Sequence, residues 1–233
     1  MKKTITTFLM LFFVASTLFS QNLQLHYDFR HSLDKKNPIE RNFFVATFEM
    51  FKPDKLGSTF LFVDFDFSGE KGNLNGVYTE IARAFKIKDF PIQPHIEFNG
   101  GVGLGYVVDN AYMVGAAYPF KCGNFFFNSY LVYKYHNFSP RASYDAQLTF
   151  VWDGNILKDK ITIRGFADLW SVNRRGEGET GKKLVFYSEP QFWYNITKHF
   201  AVGTEVKLST NFYWWTSSFK AYPTLGVKYN FNP

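Results

Sequence analysis

The residues of this chain able to do chemistry are spaced two apart. Asp64 is followed by Asp66, His26 by Asp28, and the run Tyr187, Glu189, Gln191 and Trp193 keeps the same interval. Residues i and i+2 of an extended strand share one face. Carboxylates and amides set among aromatic rings suit a polar, partly flat solute. The rings stack on a base, and the carboxylates accept hydrogen bonds from sugar hydroxyls or exocyclic amines. Asp28, Asp64, Asp66, Glu80, Tyr187, Glu189, Gln191 and Trp193 form the candidate substrate-binding set. A competing account is equally physical: the same charges pair with one another across an enclosed space and fill it.

Other chemistries are less well supported. His26 and Asp28 share a strand face with Ser32 nearby, but no serine sits in a nucleophile elbow, so no catalytic residue is assigned and no enzyme is expected. His26, His95 and His136 lack the paired spacing of a metal site, so no metal or other cofactor is expected. The glycine-rich run Gly100–Gly105, GGVGLG, would need a helix directly after it to hold a phosphate. The next segment, Tyr106–Tyr118, reads as loop and strand instead. Close packing or a flexible loop at a sheet rim accounts better for these glycines.

The elements that must position these residues are strands. In Asn22–Leu33, NLQLHYDFRHSL, the residues Leu23, Leu25, Tyr27 and Phe29 alternate with Gln24, His26, Asp28 and Arg30. Such alternation gives one apolar and one polar face. In Ser58–Ser68, STFLFVDFDFS, Asp64 and Asp66 point the same way. Burying both in a dry core would cost several kcal/mol each. A hydrated lumen removes most of that cost, so the apolar faces are expected to meet lipid and the polar faces water. The inward set then holds Asp28, Glu49, Asp64, Asp66, Glu80, Glu97, Asp145, Asp168, Glu189 and Glu205. Arg30, Lys134, Arg164 and Lys207 join it, with Phe62, Tyr130, Phe166, Tyr187 and Trp193 between them. Arg83 falls outward by strict alternation, and a bulge near Ala82 would turn it inward; both readings stay open.

Composition agrees. Aromatic residues make up 21% of the chain and charged residues 20%, more rings than a soluble core of this size can hold but suited to a barrel wall with aromatic girdles. Net charge is a mild +6 without a clustered basic face, so nucleic acid is not an expected partner. Lys2 and Lys3 precede an apolar run, Phe8–Phe19, that is too short to span a membrane as a helix. Residues 1–20 are expected to be a signal peptide cut after Ser20, and residues 21–233 the barrel. Gln21 stands where an acylated lipoprotein would carry cysteine. Cys122 is alone, so the closure must come from backbone hydrogen bonds.

About twelve strands are expected from the alternation, with ten or fourteen left open. Connections expected after odd strands are longer (Asp34–Arg41, Gly69–Gly76, Gly100–Asn110, Asn173–Lys183) than those after even ones (Pro53–Gly57, Lys88–Pro91, Pro119–Asn124, Ile196–His199). Asp153–Asp159 is a longer exception. Pro94, inside the fifth strand, predicts a bulge there. The expected fold is all-β: a transmembrane antiparallel up-and-down barrel in a bacterial outer membrane.

Three segments, STFLFVDFDFSG (Ser58–Gly69), GVYTEIARAFKI (Gly76–Ile87) and SEPQFWYNI (Ser188–Ile196), resemble the Tsx-like family of nucleoside-specific outer-membrane channels in a Bacteroidetes-type version. That resemblance implies a twelve-stranded monomer whose narrow pore passes nucleosides by diffusion, with membrane lipid and a nucleoside-like solute as its partners. The alternatives are a plugged barrel that modifies lipid or envelope, and a structural or adhesive barrel acting through loop residues such as Trp214 and Trp215.

Overall fold

A computed structural model describes residues 20–104, 106–137, 141–174 and 179–233. The expected signal segment lies outside the described residues up to position 19, and the first strand opens at Ser20. The strands are β1 (Ser20–Asp28), β2 (Phe43–Asp54), β3 (Gly57–Asp66), β4 (Gly76–Phe85), β5 (Gln93–Gly103), β6 (Tyr106–Cys122), β7 (Phe125–His136), β8 (Ser143–Ile156), β9 (Ile161–Asn173), β10 (Lys182–Ser188), β11 (Gln191–Asn195), β12 (Phe200–Thr210) and β13 (Lys220–Asn230). Each pairs antiparallel with its neighbours, and β13 returns to β1 through Leu23↔Tyr229 and Leu25↔Val227. β10 and β11 both lie between β9 and β12, so they are two halves of one wall strand. The result is a closed barrel of twelve wall strands, with no sheet edge left to satisfy in lipid.

The facing agrees with the alternation. Asn22, Gln24, His26 and Asp28 are at most 1% exposed, whereas Leu23 and Leu25 are 45% and 42% exposed. A soluble protein would reverse these values. Two aromatic clusters stand on the outer face of β6–β8. Tyr112, Tyr135 and Tyr144 lie near one end, and Phe120, Phe127, Phe150 and Trp152 near the other. Aromatic rings at these two heights fit the two membrane interfaces, and the wall places the protein in the bacterial outer membrane.

Several boundaries depart from expectation for local reasons. The first strand stops at Asp28. Its carboxylate accepts from the Arg30 amide at 2.8 Å and starts a helical turn, α1 (Arg30–Leu33), that carries Arg30 back over the lumen. Gly100–Asn110 is not a loop: β5 runs through Gly103 and β6 begins at Tyr106. The glycines are needed for close approach, since a Cβ on Gly101 would stand 2.2 Å from the Val77 carbonyl oxygen. The predicted bulge at Pro94 is absent: the β4–β5 pairing ends at Ala84↔His95, and Pro94 stays in regular register with Ala116 of β6; the register shifts instead between Asn99 and Gly101. Asp153–Asp159 is no exception to the short turns: β8 extends to Ile156, and Leu157, Lys158 and Asp159 close a tight turn at positive φ. Arg83 faces outward, with no bulge at Ala82. It reaches the turn after β2, where its guanidinium donates to Asp54 at 2.6 and 2.8 Å.

Candidate functional site

Alternation on β3 sends Asp64 and Asp66 into the lumen, and the register sets Thr47 of β2 opposite Asp64, to which its hydroxyl donates. Asp66 accepts from the Ser68 amide at 2.7 Å. Both carboxylates line a cavity of about 110 Å³ in the half of the barrel that carries the long loops. Tyr78 of β4, Arg30 and Lys207 line it too, so acidic and basic groups face each other around one space.

The other candidates are engaged in the wall. Arg30 clasps Asp28 through Nε and Nη2, the latter at 2.7 Å, and its guanidinium lies over Phe43, Tyr213 and Tyr222 at 5.1–5.5 Å. Glu80 accepts from the Tyr78 hydroxyl at 2.7 Å and the Asn99 amide at 3.3 Å. Tyr187 donates to Glu189 at 2.5 Å while its ring stacks on Phe212, centroids 4.2 Å apart. Gln191 donates to Glu205 at 2.8 Å and accepts from the Trp193 indole at 2.9 Å. These four residues keep one face although the strand breaks at Glu189–Pro190. Opposite that break Gly165, at φ +149°, admits the Glu189 carbonyl, which a Cβ would meet at 2.5 Å.

The stacking face expected of Trp193 is not free. The ring is 0% exposed. It is seated against the paired glycines Gly203 and Gly226, with the Lys228 ammonium 4.7 Å from its centroid and the His26 edge at 5.4 Å. Lys228 is an inward base absent from the set expected by sequence, though its alternation with outward Val227 and Tyr229 carried the signal. The histidine constellations do not assemble. His26 is held by Thr224 and Gln24, Ser32 by Asn42, and among the described residues no three His, Cys, Asp or Glu come together to hold a metal.

Contacts also cross the lumen. Arg164 of β9 reaches Glu49 of β2, 115 positions away, and Asp153 at 3.1 Å. Phe51 of β2 meets Phe126 of β7 with centroids 6.2 Å apart. Both crossings lie toward the short turns, so side chains span the bore there. At the opposite mouth, Lys220 and Tyr222 donate to Asp34 at 2.5 and 2.7 Å. The ammonium first, then the hydroxyl, holds that carboxyl below its ordinary range.

Residues 20–231 match the family described as Domain of unknown function (DUF5020). The chain belongs to the DUF5020 family. No curated protein matches this DUF5020 chain. Among solved structures it is similar to a KdgM porin, at 13% identity and a TM-score of 0.51, covering 91% of this chain and 99% of that one. A second structure, a KdgM porin in complex with disordered oligogalacturonate, gives 13% identity, the same coverage and a TM-score of 0.49. At that identity the likeness concerns architecture: the DUF5020 barrel has the fold of outer-membrane porins.

Proposed function

We propose that this protein is a passive outer-membrane channel for small polar solutes, with nucleosides as the preferred class. The carrying observation is the lumen cavity where Asp64, Asp66 and Tyr78 confront Arg30 and Lys207. Paired carboxylates accept from ribose hydroxyls or an exocyclic amine, and the opposing cations bind carbonyl oxygens of a base. The resemblance of three strand segments to Tsx-like channels supports the same solute class. Diffusion makes and breaks no bond, so this function calls for neither catalytic group nor cofactor. The barrel closes within a single chain, which suits a monomer in contact with lipid alone.

Planar bilayers containing the full-length protein test this. Steady conductance is expected, reduced by adenosine and untouched by free sugars, and Asp64→Asn with Asp66→Asn should abolish the block. One observation favours a second reading, a closed barrel that works through its loops: Arg164–Glu49 and Phe51–Phe126 both bridge the bore. Bilayers that stay silent, with folded protein inserted, would decide for it.

A further inference from the structure

Formal charge is balanced at the two ends of the lumen and unbalanced between them. At the mouth Asp28 meets Arg30, and Asp145 meets Lys182 at 2.6 Å. Toward the short turns Arg164 bridges Glu49 and Asp153, and Lys228 lies within electrostatic reach of both carboxylates, two bases for two acids. In the middle six carboxylates, Asp64, Glu80, Glu97, Asp168, Glu189 and Glu205, share two ammonium groups. Lys207 lies 3.5 Å from Glu189 and 3.6 Å from Glu205, with Asp64 within electrostatic reach. Lys134 serves Asp168, Glu97 and Glu80 together. Its ammonium donates to Gln147 at 2.8 Å and lies 4.6 Å from the centroid of Trp170.

Among the described residues, the buried side chains of Asn99 and His95 in this middle zone each have an atom without a partner. Asn99, 7% exposed, donates its amide to Glu80, but its carbonyl oxygen accepts nothing among the described residues. His95, 4% exposed, uses Nε2 on Glu97 at 3.0 Å and stacks on Tyr130 at 4.3 Å, leaving Nδ1 unbonded. The zone therefore offers an amide oxygen and surplus carboxylates beside an aromatic face. That is a setting for a monovalent cation or an organic ammonium. Like-charged walls of low dielectric concentrate the opposite ion in a confined passage.

We propose that this mid-lumen girdle makes the channel cation-selective and admits ammonium-bearing solutes ahead of anions. The inference rests on the channel reading and adds to it the charge class of what passes. The test is the reversal potential of the full chain in planar bilayers under a potassium chloride gradient. The expected sign is that of potassium preferred severalfold over chloride. Substituting ethanolammonium chloride for the potassium salt should keep that sign. The triple variant Glu80→Gln, Glu97→Gln, Asp168→Asn should bring the potential toward zero, and Glu97→Gln alone should move it part of the way. Chloride preference, or potassium preference that survives the triple variant, overturns this inference while leaving a channel in place. A silent bilayer overturns the channel reading and this one with it.

Discussion

Two guanidinium–carboxylate pairs in this barrel are alike in chemistry and opposite in consequence. Arg30 and Asp28 are two residues apart; the Asp28 side chain is 0% exposed, and the Arg30 guanidinium lies over three rings. Arg164 and Glu49 come from opposite parts of the chain, and the Arg164 side chain stays 18% exposed within the bore. The first pair is formed by the local turn at the end of β1 and braces the mouth. The second exists only once the barrel has closed, and it occupies the route a solute would take. Contact between opposite charges thus says little until the path between them is known: along the wall it stiffens, across the bore it obstructs.

The larger loss is expected at Arg30. Arg30→Ala strips a sealed carboxylate of its counter-charge, and an uncompensated buried charge costs about 3–5 kcal/mol. Unfolding of the detergent-solubilised barrel, followed by denaturant titration, should show that loss. A variant as stable as the parent would mean that Asp28 reaches water and that this pair does not brace the mouth.

Arg164→Ala should act more on passage than on stability. Removing a charge-assisted hydrogen bond in a partly hydrated site costs about 1.5–3 kcal/mol, less than at Arg30. Its main effect is expected in single-channel conductance, which should rise severalfold as the strut to Glu49 disappears. If stability falls but conductance does not change, Phe51–Phe126 or another contact is the true constriction.

Much of this was legible in the sequence, because period-two alternation reports facing residue by residue. Asp64, Asp66, Glu80 and Glu189 all face inward, in step with their strands. What stayed hidden depends on partners distant in sequence. Trp193 reads as an open platform until Gly203 and Gly226 are seen to receive it. Arg30 reads as the next residue of a strand until the Asp28 side chain turns the chain at the backbone. Alternation tells which residues enter the lumen. It does not tell which of them are sealed by neighbours there, and of the eight site candidates only Asp64 and Asp66 line the cavity.

A smaller effect is expected from the second brace at the mouth. Lys220→Met removes the stronger of the two groups holding Asp34, while Tyr222 remains as a donor and as one of the rings under Arg30. Near-surface pairs of this kind contribute up to about 1 kcal/mol. A loss matching that of Arg30→Ala would show that the Asp34 latch, and not the sealed pair, holds the mouth together.

The smallest effect is at the opposite end, and pH isolates it. Arg83 donates to Asp54 beside the turn after β2, and with the Leu56 amide it holds the Asp54 carboxyl down at about 2. A carboxyl depressed on folding stabilises the protein above its unfolded value, near 3.8. That contribution fades as pH falls from there through about 2. Arg83→Ala should therefore melt slightly below the parent at pH 6, and the two curves should converge in the acid range. The pair is open to water, so salt should shrink the difference at pH 6 as well. The Asp28–Arg30 pair, sealed under its rings, should not respond to salt at all. A salt-sensitive Arg30→Ala penalty would place both pairs in the same solvated class and erase the distinction between bracing and surface contacts.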